Sequence, residues 1–133
     1  MVKDIVHDTF ILSMKSSDAT IDDISVANDL LDTLKYHKDK CVGMAANMIG
    51  VHKRILVLIC NDNSYLTLIN PIILKKENRY ETKEGCLSLE GEPRKCIRFN
   101  KIKVQYQTKD MKNRIKDLQK TIQDSFAVIA DAR

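Results

Sequence analysis

RILVLIC at residues 54–60 and SYLTLIN at residues 64–70, with Asn61, Asp62 and Asn63 between them, form the stretch that decides the class of fold. Each run is short and rich in β-branched and large apolar residues, and the polar triplet between them supplies turn chemistry, so the pair reads as two strands joined by a turn. A further strand is predicted after Pro71, over residues 72–75. Downstream, strict alternation returns at residues 101–107, where Ile102, Val104 and Tyr106 point one way and Lys101, Lys103, Gln105 and Gln107 the other. That is the pattern of a half-buried strand. Upstream, Ile24, Ala27, Leu30, Leu31 and Leu34 fall on one face of a helix predicted over residues 20–40, and Thr20 followed three residues later by Asp23 reads as its capping box. Near the end, Ile122, Phe126, Ile129 and Ala130 recur at helical spacing for about three turns. The expected class is α+β, mostly antiparallel β-sheet packed around helices.

The chain has 133 residues, enough for one core, and no repeat, low-complexity tract or Pro/Gly-rich linker divides it, so residues 1–133 are read as a single domain. The formal charge of +4 comes from 22 basic and 18 acidic residues that are interspersed, which speaks for solubility more than for a nucleic-acid partner. Even the most basic stretch, residues 101–120, reads as a solvated face. No run approaches the length of a membrane span or a signal peptide, so the expectation is a cytoplasmic protein with no membrane partner. Four cysteines without a C-x-x-C pair are expected to be reduced.

Two short segments carry chemistry. At residues 41–50 the sequence CVGMAANMIG crowds small residues into the junction between the helix and the next strand, where they let a backbone approach a ligand closely, although ordinary tight packing uses the same residues. At residues 84–89 stands EGCLSL. Cys86 offers a thiolate, a strong soft ligand for a divalent metal, and Gly85 lets the chain turn so that backbone N–H groups can face a reacting carbonyl. A cysteine between apolar neighbours can equally be a small buried hydrophobe.

A glycine and alanine turn followed about 40 residues later by E-G-C-L-S resembles the peptide deformylases, whose first two motifs read approximately G-x-G-x-A-A-x-Q and E-G-C-L-S. The likeness covers residues 1–120. It implies a metal-dependent amide hydrolase in which iron, often replaced by zinc or nickel, activates water to remove the formyl group from N-formylmethionyl peptides. By resemblance Cys86 is a metal ligand, the backbone N–H of Leu87 an oxyanion donor, and Gly85, Val42 and Gly43 contact the substrate peptide, the last two through their backbones. Met48 occupies the place of the family's glutamine, and a thioether has no donor to offer an oxyanion.

The family's third motif, H-E-x-D-H, is absent from these residues. Its two histidines would complete the metal site and its glutamate would be the general acid and base. The histidines present are His7, His37 and His52, none spaced as H-x-x-x-H. His37 reads as a solvated or C-capping residue, His52 as a surface residue, and His7 belongs to a terminal arm. The expectation is therefore a deformylase-like protein whose catalytic site is incomplete at the C-terminal helix, impaired or inactive, and binding no metal stably. The alternative is a non-catalytic peptide- or ribosome-binding protein. Because the missing helix would cover the sheet, bare apolar strand surface and self-association are also expected.

Overall fold

The structure, a computed structural model, describes residues 1–39, 42–60, 63–86 and 89–119, with the backbone alone for 78–86, 89–100 and 119. Five strands, β1 (Gly43–Ala45), β2 (Ile55–Ile59), β3 (Tyr65–Cys86), β4 (Leu89–Gln107) and β5 (Asn113–Gln119), lie in one sheet in chain order, and every neighbouring pair is antiparallel. Two helices precede the sheet, α1 (Thr9–Ser13) and α2 (Ile24–Tyr36). The class is α+β, as the sequence led us to expect.

The period of two along β2 divides the core. Ile55 and Val57 face one side, where Ile55 lies opposite Ile69 and Val57 opposite Met44. Leu56 and Leu58 face the other, opposite Leu68 and Leu66. RILVLIC is almost wholly apolar because both faces of this strand are buried. Over the first face lies α2, which seals Ala27, Leu30 and Leu34 completely. Its start follows the sequence signal. Thr20 N–H donates to Asp23 Oδ2 at 2.8 Å and Asp22 N–H to Thr20 Oγ1 at 3.3 Å, around a single 3₁₀ turn, Ile21–Asp23, that leads into the helix.

Several features differ from the expectation. Pro71 does not break the strand. β3 runs through it with a register shift between Ile69 and Ile72, since a residue without an N–H is tolerated where the ladder is already disrupted. Asn70, at a φ of 52°, stabilises the irregularity: its side chain accepts from Ala19 N–H and donates to Ala19 O and Gln107 Oε1. The 101–107 strand is the end of the much longer β4, and β5 falls in the stretch read as a solvated face. The segment Gly43–Ala45, read as a turn, is a strand. On the face away from α2, Leu56, Leu58, Leu68, Val104 and Leu118 are at most 2% exposed, while elsewhere on the sheet Ile72 and Leu74 of β3 and Ile115 of β5 are exposed. The tail helix predicted near residues 122–133 lies outside the described residues. No helix among the described residues is long and apolar enough to cross a membrane.

Candidate functional site

The first chemical segment is built into the core. β1 is an edge strand whose Gly43, Met44 and Ala45 lie opposite Leu58, Val57 and Leu56, and Ile59 N–H closes the pairing onto Val42 O at 2.9 Å. Ala45 and Ala46 must be small because each packs into a filled cluster, Ala45 with Leu56 and Leu68 on one sheet face and Ala46 with Met44 and the α2 residues on the other. Val42, just before the strand, is 45% exposed. The chain then turns through a 3₁₀ turn, Ala46–Ile49, and leaves it at Gly50, whose φ of 82° is a left-handed conformation that glycine adopts without strain.

Met48 lies in that turn and is buried. Its thioether sulfur accepts from Ala45 N–H at 3.5 Å, so the side chain folds back over the start of its own turn, and its carbonyl accepts from Val6 N–H at 2.8 Å. Sulfur is a weak acceptor and donates nothing. The residue at the glutamine position therefore acts here as packing and as a weak cap.

The second segment ends β3. Glu84 lies opposite Arg94, a register shift follows, and Cys86 lies opposite Leu89 at the close of the β3–β4 pairing, with Gly85 on the strand between. Leu87, the expected oxyanion donor, lies outside the described residues, and of Cys86 and Gly85 the backbone alone is described. The structure thus brings Val42, Gly43 and Met48 together on one short segment, and it puts Gly85 and Cys86 at the end of the longest strand.

Two of the histidines lie at the C-terminal end of α2 and the third lies against α1. His37 is the C-cap of α2, its N–H on Leu34 O and Thr33 O and its ring edge-on to Tyr36, which agrees with the capping expectation. His7 shares a shallow depression with His37, Lys3 and Tyr36. His52 is not the surface residue expected: it is half-buried, and its Nε2 contacts Ile11 O at 2.9 Å. Among the described residues no group of three or more His, Cys, Asp or Glu side chains is arranged to hold a metal ion.

Acidity departs from ordinary values at exposed groups remote in sequence from residues 42–48. The Met1 amine is raised and Asp32 lowered by their mutual hydrogen bond, Lys75 lowers Glu77, and the Thr108 hydroxyl lowers Asp110. Sequence reasoning passed over Asn47. Its amide is buried beside Met48 and donates to Leu12 O at 3.1 Å, a partner 35 residues away that no local pattern announces.

Likeness to other proteins covers the same residues. The family model described as polypeptide deformylase matches residues 3–128. A peptide deformylase of Clostridium beijerinckii is 53% identical over 106 residues, covering 80% of this chain and 76% of that protein. The next relatives are matched over about half of their own length, 48%, 47% and 52%. The crystal structure of peptide deformylase from Thermus thermophilus superposes with a TM-score of 0.85 at 27% identity, covering 99% of this chain and 80% of that one. A class I type b peptide deformylase from Acinetobacter baumannii with Met-Ala-Ser bound shares the fold, with a TM-score of 0.84 at 20% identity over 99% of this chain and 94% of that one.

Proposed function

The chain belongs to the peptide deformylase family, and from that we propose that residues 1–133 form one cytoplasmic deformylase-like domain that binds N-formylmethionyl peptide along β1 but is impaired as a hydrolase in this 133-residue form. The family acts on N-formylmethionyl peptides with the help of a metal. The observation that carries the binding half is the position of β1 at the sheet edge, with a strand neighbour on one side only among the described strands. An extended peptide can add to such an edge through main-chain hydrogen bonds, and specificity then comes from alternate side chains. By the family resemblance Val42 and Gly43 are the residues it would meet, although the Val42 carbonyl already accepts from Ile59 N–H on the β2 side.

In this reading Cys86 is a metal ligand, Gly85 gives the chain beside it room for the substrate, and Leu87 N–H faces the oxyanion. Iron, zinc or nickel bound there would supply an activated water. Of the family's side-chain ligands, Cys86 is the one among these 133 residues, and a catalytic site of this type takes three. Met48 removes a further donor, which for a contact of that kind is worth about 10²–10³ in rate.

Titration of the isotopically labelled polypeptide with formyl-Met-Ala-Ser tests the binding half. Amide shifts concentrated at residues 42–45 are expected. Shifts confined to other parts of the sheet, or none at millimolar peptide, contradict the proposal.

A further inference from the structure

We infer that Asn47 and His52 are positioning residues: they clamp the last carbonyls of α1 and thereby hold the 3₁₀ turn that presents residue 48. α1 has five residues and ends where Met14 turns to extended backbone, so its final carbonyls have almost no helix left to bond with. Ile11 O accepts from Met14 N–H at 3.2 Å and also meets His52 Nε2 at 2.9 Å, while Leu12 O accepts from Asn47 Nδ2 at 3.1 Å. On the other side of α1, Val6 N–H donates to Met48 O at 2.8 Å. The N-terminal arm is thus gripped on both flanks of α1 by donors and acceptors that all belong to residues 47–52.

The chemistry of Asn47 argues that this grip is the reason for its amide. The residue is 8% exposed, and its Oδ1 has no partner among the described residues. A leucine would fill similar space without burying an unsatisfied acceptor. What the amide adds is the bond to Leu12 O, which an apolar side chain would leave unpaired. His52 obeys a related constraint. A carbonyl only accepts, so the neutral ring carries its proton on Nε2.

The functional meaning rests on the reading of residue 48 as the position facing the formyl group, where a displacement of about 1 Å is costly. The clamp itself can be tested without that reading. Amide hydrogen exchange in the 133-residue protein is compared among wild type, Asn47→Leu, His52→Phe and His52→Gln, using Val6 and Val51, whose N–H groups bond Met48 O and Ala46 O, as reporters of the turn. His52→Phe and Asn47→Leu should each speed exchange at those two amides about fivefold or more, the worth of one hydrogen bond, while β2 and β3 amides stay within about twofold. His52→Gln, whose amide nitrogen can reach the same carbonyl, should restore protection, and the Met48 methyl resonance should move in His52→Phe and return in His52→Gln. Unchanged exchange at Val6 and Val51, equal acceleration throughout the sheet, or failure of His52→Gln to rescue would overturn the inference. If the clamp signature appears but formyl-Met-Ala-Ser produces no shifts in residues 42–48, the clamp stands and the assignment of residue 48 falls.

Discussion

Residues 42–50 and residues 84–89 carry the two motifs of one family, yet they hold opposite places in the fold. The first segment is part of the core, with Met44 and Ala46 sealed completely and Ala45 and Met48 nearly so, and Asn47 and the nearby His52 reach from it to the distant carbonyls of Leu12 and Ile11. The second is the end of a long antiparallel pair, where Cys86 faces Leu89 across the sheet. The difference teaches that the groove proposed at residues 42–45 is made of the same residues that stabilise the domain. Cys86, the proposed ligand, has its backbone where the strand ladder finishes. Changes in the first segment should therefore register in stability, and changes in the second in chemistry.

The largest expected effect is Met44→Ala. Emptying a completely buried side chain of β1 in the cluster that includes α2 should cost about 2–5 kcal/mol in urea unfolding, whereas Cys86→Ala should cost less than about 1 kcal/mol. Equal losses would erase the contrast and make Cys86 a core residue. Met48→Gln comes next. The amide oxygen can still accept from Ala45 N–H, but its NH₂ replaces a methyl group in a buried site, so a cost of about 1–3 kcal/mol is expected, together with tighter binding of formyl-Met-Ala-Ser. A gain in stability would mean that Met48 is poorly packed and that the turn prefers a glutamine.

The smallest effect lies in the β4–β5 turn and serves as a control far from both motifs. The Thr108 hydroxyl lowers the Asp110 pKa from the ordinary 3.8, so the folded state binds that proton less readily than the unfolded chain. The associated stability is complete above the ordinary carboxylate value and is lost as the pH falls through the lowered one. Thr108→Val should thus shift the melting temperature slightly and constantly above pH 3.8, with the shift shrinking below it. A difference that grew toward acid would reverse the sign of the coupling.

The parts legible in the sequence are those whose signals are local. Thr20 and Asp23 mark the start of α2, Ala27, Leu30 and Leu34 mark its buried face, and the alternation of Ile102, Val104 and Tyr106 marks β4. β5 escaped because its two apolar residues are out of phase: Leu118 is buried against Ile102, but Ile115 stands on the opposite face and is 62% exposed, so no alternation appears. α1 escaped because its Phe10 is exposed and the helix shows no buried stripe. The continuity of β3 through Pro71 depends on Asn70 reaching Ala19 and Gln107, contacts that span 51 and 37 residues. The site divides in the same way. E-G-C-L-S is recognisable because it is a contiguous string, while the roles of Asn47 and His52 exist only after residues 11 and 12 have folded onto them.

The central claim is that these 133 residues retain the peptide groove of a deformylase without an efficient hydrolytic centre. Its most direct test is turnover of formyl-Met-Ala-Ser by the 133-residue polypeptide supplied with ferrous or nickel ion, measured beside Cys86→Ala. Deformylation should be indistinguishable between the two proteins and no greater than that of the metal in buffer. Multiple turnovers that disappear in Cys86→Ala would contradict the claim, because the polypeptide would then be assembling a working metal centre around that thiolate.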